Sequence, residues 1–366
     1  MNKETEIETV EKDIVIDELY SNSVELIQYT RKIAVKNVNS IQLMTYYSLG
    51  RWIVEVQQNG EKRAKYGKQV IKLLSDKLNR KFGKGFSADN LELMRKFYLM
   101  YGDRISETLF RKFAIEKSDT MFRIFTEEKP FKLSWSHYIK LMRIKDEAER
   151  NFYEIEAANN DWSINKLKRQ FDSALYERLL LSTNKADVKR LSEKGHVIEQ
   201  PVDIVKDPYV LEFLGLEEKP HFSESDLENR ILDNLQKFLL ELGKGFAFID
   251  RQKRFTFDEE HYRLDLVFYN RLLKCFVLFD LKIGELKHQD LGQMQMYVNY
   301  YDRYEKTEFE NPTIGILLCE EKSDAMVELT LPKDANIFAS EYQLYLPDKK
   351  LLQQKLREWL MEEGDI

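Results

Sequence analysis

Residues 263–284 read RLDLVFYNRLLKCFVLFDLKIG, and they place two aspartates and a lysine inside stretches that otherwise resemble buried strands. A short connection separates the two stretches, which predicts a hairpin. Strand side chains alternate between the faces of a sheet, so Asp280 and Lys282 share a face, and the hairpin would bring Asp265 beside Asp280. We therefore predict a charged cluster on one patch of a sheet.

These charges need compensation, because an unpaired buried carboxylate is costly in free energy or takes up a proton. A salt bridge between Lys282 and either aspartate would explain two of the three groups and leave one carboxylate over. Two neighbouring carboxylates repel each other unless a cation lies between them, and hard oxygen ligands favour Mg²⁺ or a similar ion. The spacing alone leaves the structural and the metal-binding interpretations open.

The segments around the hairpin indicate the fold of the second half of the chain. Their order is helix, three strands, helix, strand, which predicts a mixed sheet flanked by helices. The expected elements are a short helix at 207–216, a capped helix at 223–245, strands at 246–257, 262–270 and 275–284, a helix at 289–304 and a strand at 313–320.

The first half of the chain has the apolar period of helices almost throughout. Two of these predicted helices, one ending before Gly83 and one beginning after Ser87, are joined by a short glycine-containing turn that is typical of a helix-turn-helix. His137 lies among apolar residues, where we expect it to pack or cap rather than to catalyse.

A polar stretch without a long apolar period separates the two halves and predicts a linker. The sequence thus predicts an α+β protein of two domains. The predicted limits are 20–182 for an all-helical domain with a helix-turn-helix-like part, 183–206 for the linker and 207–360 for the domain with the mixed sheet.

Length and composition narrow the class of protein. A chain of 366 residues with 43% apolar and 12% aromatic residues fits about two globular domains. Cys275 and Cys319 lack the spacing of a disulfide framework or a zinc site, which suits a reducing cytoplasm. The N-terminus does not resemble a secretion signal, and no run of about 18 apolar residues occurs, so we expect a cytoplasmic protein without a membrane partner.

The formal net charge of −6 hides a basic segment. Residues 61–112 hold 14 Lys and Arg against 6 Asp and Glu, a balance of +8. Such a segment attracts phosphates and predicts a nucleic-acid partner for the helical domain, although charged helix faces are often merely solvated. Arg251, Lys253 and Arg254, on the strand before Asp265, offer further phosphate contacts.

Two short motifs resemble those of a known nuclease superfamily. Asp265, followed after fourteen residues by Asp280-Leu281-Lys282, resembles the PD-(D/E)XK signature, and the order of elements is similar to that superfamily's core. Gln293 and Tyr297 resemble the Gln-xxx-Tyr motif of its RecB-like and Holliday-junction-resolving branches.

Longer blocks resemble the YhcG-type family of bacterial proteins over residues from about 25 to 360. The blocks are SWSHY, ERNFY, DWSINKLKRQ, LYERL, DPYVLEFLGL, FLLELGKGFAF and LGQMQMY. The resemblance implies a helical DNA-binding N-terminal domain joined to a restriction-endonuclease-like domain.

The resemblance also implies roles for individual residues. Asp265 and Asp280 would be metal ligands together with the backbone carbonyl of Leu281, and Lys282 would orient the attacking water or stabilise charge on the phosphate. Glu228 on the opening helix is the expected further metal ligand.

Other residues near the motif have implied or alternative roles. Gln293 and Tyr297 would position the substrate backbone or the metal-bound carboxylates, and Tyr297 has simple packing as its alternative. Glu224 and Asp226 are weaker candidates for the acid on the helix, because residues of a cap region have a structural explanation.

The implied function is Mg²⁺-dependent hydrolysis of DNA phosphodiester bonds, with Mn²⁺ as a substitute, on branched DNA or on recombination and repair intermediates. Two alternatives stay open. One is a catalytically inactive DNA-binding or regulatory protein with a nuclease-like fold, and the other is a nuclease that acts on RNA. The sequence does not reveal the oligomeric state, so a homodimer also stays open.

Overall fold

The computed structural model describes residues 38–57, 64–112, 130–182, 188–216, 222–257, 259–332 and 334–361. The chain divides into two compact units. The first unit is Met1–Arg150 with Ala157–Ile164, and the second is Asn151–Glu156 with Asn165–Ile366. Within the predicted linker, residues 183–187 lie outside the described ranges, and a helix and a 3₁₀ turn of the second unit follow them. The predicted domain limits stay a prediction.

Helices form the described part of the first unit. They are α1 at 38–57, α2 at Ala64–Phe82, α3 at Ala88–Tyr101, α4 at Glu107–Phe110, α5 at Trp135–Leu141 and the beginning of α6, which spans Glu147–Asn159, with a 3₁₀ turn at Gly102–Arg104.

The turn between α2 and α3 has the predicted form. Helix α2 ends just before Gly83, whose φ of 80° suits glycine, and the Ser87 side chain caps α3 by accepting the amide of Asn90 at 3.2 Å. Leu91 and Met94 of α3 are fully buried. The predicted helix pair and its cap are therefore confirmed.

His137 has the packed role that the sequence indicates. Its ring contacts Ser134 Oγ at 2.6 Å and the carbonyl oxygen of Trp162 at 2.9 Å. Burial lowers its pKa, so the neutral ring is favoured.

The second unit contains a six-stranded sheet and its flanking helices. The helices are α7 at Ile164–Asp172, α8 at Leu175–Ser182, α9 at Val188–Lys194, α10 at Glu224–Asp233, α11 at Leu235–Leu242, α12 at His288–Tyr300, α13 at Asp324–Thr330 and α14 at Lys349–Met361. The strands are β1 at Tyr209–Val210, β2 at Phe246–Phe257, β3 at Glu260–Asn270, β4 at Cys275–Leu281, β5 at Ile314–Cys319 and β6 at Ile337–Gln343.

The sheet is mixed and covered on both faces, as predicted. Its order is β1-β6-β5-β4-β3-β2, with β2, β3 and β4 antiparallel and the remaining pairs parallel. Apolar residues of α10 and α11 pack on one face, and those of α12 and α13 pack on the other. All six residues of β5 are buried, which explains why its sequence is almost entirely apolar.

Local structure differs from the prediction at several places. Residues 207–216 contain the short strand β1 and a 3₁₀ turn at Glu212–Leu214 instead of a helix, because β1 pairs with the distant β6. The predicted helix at 223–245 is two helices that meet at Asn234, whose φ of −115° is not helical. The strand β6 was not predicted.

A buried ion network fastens helices α7 and α8 to the sheet domain. The fully buried Arg178 donates to Glu241 Oε1 at 2.5 Å and to the Pro208 carbonyl at 2.9 Å. Arg169 lies 3.4 Å from Glu241 Oε2 and 3.0 Å from Glu212. Four of the sequence blocks quoted above, DWSINKLKRQ, LYERL, DPYVLEFLGL and FLLELGKGFAF, supply these residues. Separate blocks of the chain thus serve one structural network.

Among the helices in the described ranges, none combines the length and the apolar character that crossing a bilayer requires.

Candidate active site

The strands β3 and β4 separate at the predicted carboxylates. The last pair of their ladder is Leu266 with Phe279. One residue farther, the side chain of Asp265 acts as the acceptor, and its Oδ2 accepts the backbone amide of Leu281 at 2.8 Å. Continuing the register puts Asp265 opposite Asp280. The hairpin thus brings the Asp-Leu-Lys stretch to Asp265, as the sequence predicts.

Asp280 and Lys282 form an ion pair on β4 and just beyond it. Lys282 Nζ lies 2.8 Å from Asp280 Oδ2. Asp280 is only 2% exposed. Leu278, its neighbour on the same face, packs against α12, so the predicted alternation is present. The salt bridge considered as the structural interpretation therefore exists and leaves Asp265 as the extra carboxylate.

Glu228 joins the cluster through an intervening amide. It lies on α10 and is 4% exposed. The side-chain amide of Gln252 on β2 donates to Glu228 Oε2 at 2.6 Å and to Asp265 Oδ1 at 3.2 Å. The other oxygen of Glu228, Oε1, is buried and accepts no hydrogen bond from the described residues.

Gln252 is a residue of this cluster that the sequence did not reveal. Its φ of 46° lies in the left-handed region, which residues other than glycine rarely adopt. Its neighbours Arg251 and Lys253 pair with Leu266 and Leu264, so the register puts Gln252 opposite Asp265. In the sequence, FAFIDRQKRFTF reads as an ordinary strand, and only a known register would have singled out its glutamine.

Gln293 and Tyr297 bind each other on α12, one turn apart. The Gln293 amide donates to the Tyr297 hydroxyl, which donates to the carbonyl of Arg263 on β3 at 2.9 Å. Burial is the main cause that raises the pKa of Tyr297 to about 12, and the charge of Asp280 adds to it, so the phenol stays neutral. The pair therefore joins α12 to β3 two residues before Asp265.

Burial raises the pKa of all three carboxylates. For Asp280 the pKa rises to about 7, through burial and the charge of Asp265, while Lys282 opposes the rise. The pKa of Asp265 is raised by burial against the effect of the Leu281 amide, and that of Glu228 is raised by burial against the effect of Gln252. Such a cluster gains free energy when positive charge approaches.

Glu224 and Asp226 differ in their relation to the cluster. Glu224 is exposed, but its charge contributes to raising the pKa of Asp265 and Asp280, and it precedes Glu228 by one turn of α10. Asp226 instead belongs to the capping box with Ser223. Its structural role is the one that the sequence indicates.

The donor chemistry of the cluster fits a hard divalent cation. Carboxylate oxygens are the ligands that Mg²⁺ prefers, and Glu228 keeps a buried oxygen that accepts no hydrogen bond from the described residues. In the spacing shown, no three acidic, histidine or cysteine side chains within the described ranges form a group that could hold a metal. Gln252 bridges Glu228 and Asp265 there, and Lys282 pairs with Asp280. Those two contacts would have to open for all three acids to share an ion.

Comparison with known proteins covers both halves of the chain. Residues 202–357 match the profile of the YhcG PDDEXK nuclease domain, and residues 22–178 match that of the DUF1016 N-terminal domain. The chain is 37% identical over 360 residues to the Escherichia coli (strain K12) protein named "Putative nuclease YhcG", and the match covers 95% of this chain and 96% of that protein.

Solved structures resemble the chain more weakly. A repair endonuclease from Pyrococcus abyssi is 20% identical, with a TM-score of 0.24 over 36% of this chain and 50% of that one. The structure of an EndoMS complex with double-stranded DNA is 15% identical, with a TM-score of 0.25 over 36% and 50% of the two chains. The chain thus matches about half the length of these proteins, and TM-scores this low carry no conclusion about its fold or activity.

Proposed function

This chain belongs to the YhcG family of PD-(D/E)XK nucleases, and we propose that it hydrolyses DNA phosphodiester bonds at the cluster of Glu228, Asp265, Asp280 and Lys282. We further propose that the reaction requires Mg²⁺, with Mn²⁺ as a substitute. Four-way junctions are the branched substrates of first interest, because Gln293 and Tyr297 resemble the motif of junction-resolving enzymes.

One observation carries the proposal more than any other. The carboxylate of Asp265 accepts the Leu281 amide at the point where β3 and β4 separate, next to a buried Asp280 whose pKa is about 7. A fold that needed only stability would have no reason to keep two such acids together. A phosphate-cleaving site that binds a cation gives them a function.

The side chains of the cluster divide the proposed work. Glu228, Asp265 and Asp280 would hold the cation, together with the carbonyl of Leu281. When bound, a divalent cation supplies positive charge beside the phosphate and makes a water molecule more acidic. Burial lowers the pKa of Lys282, but the charge of Asp280 outweighs this effect and raises it, so the ammonium group persists at neutral pH. Lys282 can then stabilise charge on the phosphate or orient the attacking water.

The helical domain is the proposed source of DNA affinity. Lys72, Lys77, Arg80, Lys81 and Lys84 on α2 and the turn after it are all exposed. On α3, by contrast, Arg95 pairs with Glu92, and Lys96 donates to the Met142 carbonyl at 2.7 Å. The basic face of α2 is therefore better suited than α3 to neutralise phosphates and release counterions.

The direct test is cleavage of linear, nicked and four-way-junction DNA, and of RNA, with Mg²⁺, Mn²⁺ or EDTA. The wild type should cut in either metal and not in EDTA. Asp280→Asn keeps the shape of the side chain and should lower the rate by about 100-fold or more. Asp250→Asn, at a half-exposed aspartate on β2, is the matched control and should cut at the rate of the wild type.

Each other outcome has a defined meaning. Cutting by Asp280→Asn at the wild-type rate would remove Asp280 from the active site. Failure of the wild type to cut any substrate in either metal would favour the inactive, nuclease-like alternative. Cutting of RNA alone would favour the RNA-directed alternative.

A further inference from the structure

A pocket of about 340 Å³ opens between α12, the turn after it and strand β2. Phe255, Tyr300 and Tyr304 form an aromatic wall, and the polar side chains of Gln295, Asn299 and Arg303 also line the pocket. The proposed cleavage chemistry uses none of these residues. Its volume lies in the range of ligand-binding pockets.

The pocket and the proposed active site use different faces of one helix. Gln293 and Tyr297 lie one turn apart on the face that bonds to β3. Gln295 and Asn299 also lie one turn apart. Each follows its counterpart in the first pair by two residues, which at about 100° per residue turns it by roughly 200° around the helix axis. Gln295 and Asn299 therefore lie on a part of α12 that the buried Tyr297 does not use.

The aromatic wall offers a surface for stacking. The rings of Phe255 and Tyr300 are stacked, with centroids 4.3 Å apart and planes at 17°. Tyr304 extends this wall, 5.3 Å from Tyr300, and is 64% exposed. Exposed aromatic rings in nucleic-acid-binding proteins stack with unpaired bases, whose faces are all suitable.

The polar side chains of the pocket offer a hydrogen-bond donor and an acceptor that could pair with the edge of a base. The amide NH₂ of Gln295 donates to Asn299 Oδ1 at 3.3 Å, which leaves the Gln295 oxygen as an acceptor and the Asn299 NH₂ group as a donor. A donor beside an acceptor is the pattern with which amide side chains bind bases. Arg303 is exposed and forms no ion pair with the described residues, so its guanidinium can contact one phosphate.

The pocket lies close to the proposed active site along β2. Phe255 follows Gln252 by three residues, or roughly 10 Å of strand. Its ring also packs edge-on against Tyr297, with centroids 5.4 Å apart.

Gly292 keeps part of the pocket open. It lies inside α12, where glycine destabilises a helix by about 1 kcal/mol relative to alanine. A Cβ atom added there would meet no atom within 4 Å, so packing does not require glycine. The residue nevertheless leaves room at the pocket that any side chain would narrow.

We propose that this pocket receives an unstacked base of the bound DNA strand. The inference rests on the proposed nuclease function and adds a contact that would favour nicked, frayed or branched DNA, in which bases leave the stack easily. A base within a strand suits the pocket better than a free nucleotide, because Arg303 is the single cationic side chain among the described residues that line it.

The test is photo-crosslinking of nicked duplexes that carry 5-iodouracil at successive positions around the nick, with Ca²⁺ in place of Mg²⁺. In the wild type the label should crosslink to Tyr300 or Tyr304 from a narrow range of positions. Tyr304→Ala should lose that crosslink and bind the DNA about 5- to 100-fold more weakly, the range expected for a lost base stack. Phe309→Ala, at an aromatic residue that is 91% exposed and outside the pocket, should match the wild type.

A second variant keeps the test independent of the aromatic wall. Gly292→Leu should fold at least as stably as the wild type and still weaken binding, because its side chain would occupy the pocket. Wild-type affinity in both Tyr304→Ala and Gly292→Leu, or crosslinks that map elsewhere, would overturn the pocket assignment alone. If neither the wild type nor any variant bound the DNA, the result would overturn both the pocket assignment and the proposed nuclease function. Competition by free 5-iodo-deoxyuridine monophosphate at the concentration of the labelled DNA would overturn the preference for a strand.

Discussion

At the scale of single residues, Asp280 opposes the stability of the fold that positions it. Its pKa is about 7 in the folded protein, against an ordinary value of 3.8. Between these two pH values the folded protein binds a proton that the unfolded chain has lost, so stability falls as pH rises from about 4 to about 7. Above pH 7 the full electrostatic penalty is present unless a cation offsets it.

We expect Asp280→Asn to be more stable than the wild type at pH 8 in EDTA. The amide has the same shape as the carboxylate and carries no charge, so the electrostatic penalty should disappear. At 1.36 kcal/mol per pKa unit, the free energy of unfolding should increase by up to about 4 kcal/mol. Urea denaturation at several pH values measures it, and the difference should vanish towards pH 4. Lower stability of the variant at pH 8 would contradict the raised pKa of Asp280.

Gln252→Ala should destabilise the protein by about 1–3 kcal/mol, because the amide donates hydrogen bonds to the buried Glu228 and to Asp265. Alanine tolerates a positive φ no better than glutamine, so the change reports the amide rather than the backbone. Thermal unfolding compared with Thr256→Ala, at an exposed residue of the same strand, provides the measurement. Equal stabilities would show that Gln252 does not hold Glu228 and Asp265 together.

The residues of the cluster differ in how far the sequence could predict them. Strand alternation and a short hairpin were enough to place Asp265, Asp280 and Lys282, because both are local properties. Gln252 depends on a β-bulge that shifts the register between Phe248 and Asp250, and on a positive φ. Neither feature leaves a mark in the sequence that distinguishes it from an ordinary strand.

At the scale of elements, the buried ion network decides how α7 and α8 attach to the sheet domain. Burial raises the pKa of Glu241, but the charges of Arg178 and Lys206 outweigh burial and lower it to about 2. Glu241 is therefore ionised at neutral pH. Its Oε1 atom pairs with Arg178 and its Oε2 atom pairs with Arg169, so the position requires a negative charge and a carboxylate that reaches both arginines.

Glu241→Gln should lower the free energy of unfolding by about 3–5 kcal/mol, because the buried Arg178 would lose the carboxylate with which it forms a fully buried ion pair. Glu212→Gln is the matched control, since Glu212 also contacts Arg169 but is 22% exposed, and it should change stability by less than about 1 kcal/mol. Chemical denaturation of both variants measures the contrast. Similar small losses in the two would mean that the network contributes little to stability.

Elements with strong local patterns were predicted well, and those defined by distant pairing were not. Strand β2 has the predicted limits, and β4, β5 and α12 differ from prediction by a few residues at their ends. The two-residue β1 exists only because it pairs with β6, more than a hundred residues away. No local propensity could have indicated that pairing.

At the scale of the whole molecule, binding and cutting are assigned to different parts of the chain. The basic residues of α2 are exposed in the first unit, whereas Glu228, Asp265 and Asp280 lie in the second. Carboxylates repel DNA until a cation neutralises them, so we propose that the separate basic surface supplies the affinity that the acidic site lacks. The basic segment, the carboxylate motif and the family resemblance together predicted this division, while the predicted limits of the domains stay a prediction.

Binding of Mn²⁺, followed by electron paramagnetic resonance without DNA, tests the central claim most directly. We predict one saturable site in the wild type and in Asp250→Asn, and its loss or a weakening of at least about 10-fold in Asp265→Asn and Asp280→Asn, each of which removes a charged ligand. The measurement does not depend on choosing the right substrate. Undiminished Mn²⁺ binding in both cluster variants would contradict the assignment of Asp265 and Asp280 as metal ligands.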